Sequence, residues 1–146
     1  MPRRTLALML VWCSSTSLVL TACASRAKRE AATLVDAVDH FRRADDASKA
    51  AQVQAIAGVA CTDPKVCDAK QACLAAADAT ARAFALKDEV ARRLGDIEQK
   101  RLAPDAPESK ALPGQLDEAQ KLLEQGRSKM PDCERKLADL RVDYGV

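Results

Sequence analysis

Aromatic residues are nearly missing from this chain, with one Trp, one Tyr and two Phe. So few rings cannot build a stacking platform for bases or sugars. Histidine occurs once, at His40, and glycine only five times. No Gly-rich phosphate loop, Ser-His-Asp set or Cys-x-x-Cys-His haem motif is present. Charge of one sign is also lacking: 23 Lys and Arg stand against 21 Asp and Glu, a formal +2. Net charge therefore points to neither a nucleic-acid nor an anionic-lipid surface. No alternating apolar run fit for a strand occurs.

Alanine fills the gap, together with Leu, Arg, Lys, Glu and Gln, all good helix formers. The expectation is an all-α fold. At 146 residues the chain is long enough for one domain and not two.

The amino end reads MPRRTLALMLVWCSSTSLVLTAC. Arg3 and Arg4 give a positive start, Leu6 to Leu20 are mostly apolar, and small residues follow. That is the three-part layout of a secretory signal. The apolar run is shorter than the roughly 20 residues a membrane-spanning helix needs. Residues 1–22 are therefore read as a cleaved signal peptide. Leu20-Thr21-Ala22-Cys23 closes it, and in this context the tetrad resembles the lipobox of bacterial lipoprotein precursors.

The resemblance implies cleavage before Cys23, diacylglycerol on its thiol, and a further acyl chain (palmitate or similar) on the new amino terminus. One chain attaches only marginally, at about 0.8 kcal/mol per buried CH₂, whereas two or more hold. The residue after Cys23 is Ala24, not the Asp that tends to retain enterobacterial lipoproteins in the inner membrane. By that analogy the product moves to the outer membrane and faces the periplasm. Cleavage removes two arginines and no acid, so the formal charge falls to zero.

Residues 23–29 read as a short polar tether, and 30–146 as a single helical domain. A first helix is expected over about 28–59, with Leu34, Val38 and Phe41 on one face and Val53, Ile56 and Val59 later. Between Arg42 and Gln52 only alanines are available to bury. Asp63-Pro64 predicts a helix start, since Asp caps well and Pro suits the first helical position. That second helix should run over 64–102, kept slim by its alanines. Pro104, Pro107 and Pro113 punctuate a loop at 103–113.

From Leu112 the pattern is clearest. Leu112, Leu116, Ala119, Leu123, Gly126, Met130, Cys133, Leu137, Leu140 and Tyr144 recur at steps of four and three, the seam of a helix packed on a partner. Gly145 supplies an end cap. Pro131 costs about 3 kcal/mol inside a helix, so a break is expected within 126–131 of a helix spanning 113–143. The predicted architecture is a long antiparallel helical hairpin or three-helix bundle.

Cys61, Cys67, Cys73 and Cys133 remain after export into an oxidising compartment, and four such cysteines read as two disulfides. Cys61 precedes the helix that Pro64 opens and Cys67 lies in its first turn, so this pair is reachable locally. Cys133 lies on the apolar seam and Cys73 two turns into the second helix. The preferred pairing is Cys61–Cys67 with Cys73–Cys133; Cys61–Cys73 with Cys67–Cys133 stays open. A hairpin flanked by 102 and 113 would set Cys133 opposite residue 82, and the expected break would recover the offset. The Cys-x5-Cys-x5-Cys spacing lacks the close pair of a structural zinc site, and no Cys-x-x-Cys redox motif occurs.

His40 lies four residues after Asp36, close enough for contact on one helix face, but no nucleophile motif accompanies it. Asp45-Asp46 and Asp36/Asp39 read as solvated carboxylates, and Asp132 as a cap where the third helix restarts. No catalytic residue, metal site, small-molecule substrate or cofactor is assigned beyond the covalent lipid on Cys23. The expected role is non-enzymatic: a structural or protein-interaction lipoprotein of the cell envelope, meeting another envelope protein or itself. Alternatives are a non-covalent cell-wall tether and, last, an accessory subunit of an envelope enzyme. Covalent linkage through a terminal lysine, as in the major enteric lipoprotein, is not expected where the sequence reads Tyr144-Gly145-Val146.

Overall fold

The computed structural model describes residues 17–146, with side chains from Arg26 onward. The expected signal peptide lies outside them as far as residue 16. Among the described residues there are four long helices, one extra helical turn and no strand: α1 (Ser17–Arg43), α2 (Lys49–Gly58), α3 (Pro64–Glu98), the turn α4 (Pro107–Lys110) and α5 (Leu112–Tyr144). The all-α expectation holds. Residues 23–29, the polar tether of the sequence reading, have a helical backbone.

α1 carries Ala27, Ala31, Leu34, Val38 and Phe41 on one buried stripe. It does not run on to residue 59 as expected. After Phe41 the next large apolar side chain in sequence is Val53, so a straight helix would have little to bury over that stretch. The chain turns at 44–48 instead, and Val53, Ile56 and Val59 fold back into the same core as Leu34 and Phe41. The turn is held at both ends. Asp45 Oδ1 accepts from the Ser48 amide at 2.8 Å. The ammonium of buried Lys49 donates to the Phe41 and Ala44 carbonyls, each at 2.8 Å, so the first residue of α2 caps the end of α1.

α3 starts where Asp63-Pro64 predicts: Asp63 Oδ1 accepts from the Lys65 amide at 2.8 Å. It ends at Glu98, four residues short of expectation, and Lys100 turns the chain with φ 57°. The proline-rich stretch then regains helix early. Pro107 opens α4, and the Ser109 hydroxyl donates to the Ala103 carbonyl at 2.7 Å. The hairpin therefore closes between Glu98 and Pro107, not between 102 and 113. That shift brings Cys133 opposite Cys73 with no break in the last helix, and Gly126 opposite Thr80.

α5 is continuous through Pro131, contrary to the expected break at 126–131. Proline there removes the amide that would bond the Arg127 carbonyl. Both residues are exposed, so water can satisfy that carbonyl. On either side the helix is pinned to α3, at Gly126 and at Cys133. Asp132 accordingly caps nothing; it pairs with Arg135 and, at 3.3 Å, with Lys136. Gly145 ends the helix in the left-handed conformation, as expected.

Two regions result. In the base, α1 and α2 lie on one face of the hairpin formed by the start of α3 and the end of α5. Their shared core includes Leu34, Ile56, Val66, Cys73 and Leu137. α1 runs antiparallel to α5: Lys28 lies against Gly145, Asp39 takes Arg141 at 3.3 Å, and Arg42 reaches Glu134 at 3.3 Å. Beyond Ala81 the α3–α5 hairpin continues as a two-helix stalk, about 27 Å long at 1.5 Å per residue. Its seam is thin: Ala83, Val90, Leu112, Ala119 and Leu122 are its buried apolar residues.

Candidate functional site

The residue on which the sequence reading turns, Cys23, lies within the backbone of α1; its side chain is outside the described residues. Lys28, five residues further along α1, sits at the end of the base beside Gly145. The helix therefore continues past the base on the side opposite the stalk, and the loop at 99–106 lies at the far end of the molecule.

The four later cysteines pair as preferred. Cys61–Cys67 has a Cα separation of 5.1 Å and closes a short loop around the start of α3. Cys73–Cys133 has a Cα separation of 4.6 Å and ties α3 to α5 across 60 residues of sequence. The second bridge is buried, while Cys61 and Cys67 are half-buried. Among the described residues no group of three His, Cys, Asp or Glu is arranged to hold a metal. No helix there is long and apolar enough to cross a membrane.

His40 and Asp36 approach to 3.6 Å as their spacing predicts, and both are exposed. Asp45 is engaged in the turn: the hydroxyl and amide of Ser48 hold its carboxyl below the usual range. At Asp132 burial works to raise the pKa, and hydrogen bonds from Lys136 and Arg135 outweigh it, so the net shift is downward.

Two polar sites escaped the sequence reading. Glu30 is buried at 7% exposure. Its carboxylate accepts from the Thr62 amide at 2.7 Å, the Thr62 hydroxyl at 3.0 Å and Arg26 at 2.9 Å. The Thr62 amide contributes most to lowering its pKa, against an opposing desolvation. Glu30 stands four residues before Leu34, on the apolar stripe of α1, and that position was the available signal. Lys49 is the second, a buried cation whose partners are three backbone carbonyls and the Phe41 ring, 4.8 Å from its centroid. Tyr144, at the end of the seam, meets the α3 cap: burial and then the Asp63 carboxylate push its phenol up to about 12.

A shallow cleft of about 350 Å³ runs along the base between α3 and α5, lined by Lys65, Asp68, Lys136 and Asp143 among others. Its charges answer one another, Lys65 to Asp143 at 2.6 Å and Lys136 to Asp68 at 2.8 Å. The arrangement offers ion pairs, not an unmatched charge for a ligand. Compared with protein-family models, with curated proteins and with solved structures, the chain matches none.

Proposed function

We propose that the chain is a lipid-anchored lipoprotein of the bacterial cell envelope, outer-membrane and periplasm-facing, with a non-enzymatic structural or protein-interaction role. The observation that carries the proposal is Leu20-Thr21-Ala22-Cys23 behind the Arg3-Arg4 start and the apolar run. Two further facts support it. Both disulfides suit an exported, oxidising compartment. The stalk is long and slender, with a seam too thin to enclose the apolar pocket an active site usually needs.

The helical backbone at Cys23 gives the anchor a mechanical meaning. Helix joins Cys23 to the base with no extended spacer. An acyl group there stands about 8 Å beyond Lys28 along the helix axis, at 1.5 Å per residue. From that end of the base, α5 and α4 carry the chain about 55 Å in the opposite direction. An anchored molecule would thus hold the 99–106 loop well away from the lipid surface.

Mass spectrometry of the protein from its native membranes, with and without reductant, tests the proposal. The expected species begins at Cys23, carries diacylglycerol and a further acyl chain, and gains four protons' mass on reduction. A Cys23→Ser variant should remain uncleaved and unacylated. Recovery of the intact amino terminus from the cytoplasm with free thiols would overturn the proposal.

A further inference from the structure

We propose that the foot of α1 carries a cationic collar, Arg26, Lys28 and Arg29, that gathers anionic phospholipid by its headgroup phosphates around the anchored Cys23. The inference rests on the anchored reading above, which brings the lipid surface to the collar. It adds which lipid the protein selects there.

Helix geometry makes the three cations a collar. Ala27 and Ala31 are buried, so they mark the side of α1 turned to the base. At about 100° per residue, Arg26 and Lys28 stand on either flank of Ala27, and Arg29 stands on the far side. All three are exposed. Together they occupy the three open sides of the helix, so a cation meets the lipid surface whichever way α1 leans. The backbone is helical through Cys23, which sets their heights above it at about 5, 8 and 9 Å. Side chains on a helix tilt toward its amino end, here toward Cys23. The charges therefore lie within the roughly 8 Å over which a surface charge is felt at physiological salt.

Charge identifies the occupant. Without residues 1–22 the chain is formally neutral, and that average hides a local excess. The acids near the collar are engaged within the fold. Glu30 is buried and accepts from the Thr62 amide and hydroxyl. Arg26 gives it only Nε, at 2.9 Å, and the arginine side chain stays 58% exposed. At the same end of the base, Asp63 accepts from the Lys65 amide and Asp143 takes the Lys65 ammonium at 2.6 Å. The next acid along α1 is Asp36, about 20 Å from Cys23 and more than two screening lengths away. A headgroup phosphate beside Cys23 therefore meets cations first, two of them guanidinium forks suited to phosphate oxygens. Each cation close to an anionic surface is worth about a fivefold gain in association. The acyl chains already hold the molecule to the membrane, so that gain is expressed as selection among neighbouring lipids.

The test uses the full protein purified from its native membranes and reconstituted in phosphatidylcholine vesicles. These contain a trace of phosphatidylglycerol or of phosphatidylcholine, each with the same photoreactive group on one acyl chain. Irradiation should couple the phosphatidylglycerol probe several times more than the phosphatidylcholine probe, and high salt should erase the difference. Lys28→Gln with Arg29→Gln leaves the Arg26–Glu30 contact in place. It should bring the two yields close to equal while helicity and both disulfides persist. Lys100→Gln with Arg101→Gln, at the far loop, should keep the preference. Equal yields from the two probes in the parent protein, a preference that survives Lys28→Gln with Arg29→Gln, or its loss in the far-loop variant would overturn the collar. The amino-terminal peptide of the same sample reports acylation separately. Acylated Cys23 without lipid preference rejects the collar alone. Preference with a free Cys23 thiol keeps the collar and rejects the anchored reading.

Discussion

Gly126 is the closest approach between α3 and α5, and replacing it with alanine sets two effects of opposite sign against each other. Within a helix, alanine is favoured over glycine by about 1 kcal/mol. Yet a Cβ at Gly126 would collide with the Thr80 hydroxyl oxygen and stand 3.1 Å from the Ala76 carbonyl oxygen and 3.3 Å from the Thr80 amide nitrogen. Thr80 cannot swing away cheaply. It is β-branched and stiff at χ1, and its hydroxyl donates to the Ala76 carbonyl at 2.9 Å. Forcing extra volume into such a contact costs about 1–3 kcal/mol. The clash outweighs the propensity gain, and Gly126→Ala should destabilise the protein by up to about 2 kcal/mol in urea unfolding followed by circular dichroism. Thr80→Ala removes the colliding atom. In that background the same substitution should cost little or nothing, giving a coupling of up to about 2 kcal/mol between the two positions. A Gly126→Ala protein more stable than its parent, or two additive substitutions, would refute the hairpin register on which this argument stands.

Other expectations follow from the buried polar sites and the bridges. Glu30→Ala should cost about 1–3 kcal/mol at neutral pH by stranding the Thr62 amide. The Glu30 carboxyl is held below its ordinary value of 4.5, so its contribution is complete above that pH and fades as the pH falls through the lowered value. The stability gap between wild type and Glu30→Gln should narrow over that range, and a pH-independent gap would contradict it. Lys49→Met should cost about 1–3 kcal/mol in the same unfolding assay, because the Phe41 and Ala44 carbonyls lose their donor. Chain entropy makes the 60-residue Cys73–Cys133 bridge worth about 4 kcal/mol and the six-residue Cys61–Cys67 bridge about 2. Paired Cys→Ser variants should rank in that order. Mild reductant should open the half-buried Cys61–Cys67 bridge before the buried one, read by alkylation and mass spectrometry.

Local chemistry in the sequence predicted what local chemistry decides. Asp63-Pro64 announces the start of α3, Gly145 closes α5, and Cys61 with Cys67 lie close enough to pair unaided. The misreadings came where partners distant in space decide the outcome. Pro131 reads as a break because its cost is local, whereas Gly126 and Cys133, which hold α5 straight around it, act through α3. The turn at 44–48 depends on Lys49 reaching back to α1, and a lysine in an alanine-rich stretch carries no mark of that task. The register error had two sources: α3 ends at Glu98 rather than 102, and Pro107, expected as loop punctuation, opens a helical turn, the other role proline plays. Of the candidate sites, Cys61–Cys67 was legible from its local spacing, whereas Cys73–Cys133 was expected through a break at 126–131 that α5 does not have, and the earlier closure of the hairpin aligns it instead. The reading of Cys23 rests on a short tetrad, Leu20-Thr21-Ala22-Cys23, whose side chains lie outside the described residues.

The division into a layered base and a bare two-helix stalk sets how the molecule comes apart. Beyond Ala81 no third helix among the described residues backs the seam, and alanines supply part of it, so separation there costs little buried area. Opening should therefore begin at the 99–106 loop and travel inward like a zip, stopping at Cys73–Cys133, where a covalent bond bars further parting. Backbone amide exchange would grade from fast near the loop to slow at the bridge. The outer stalk could then peel apart and re-close repeatedly while the half that carries α1 stays folded.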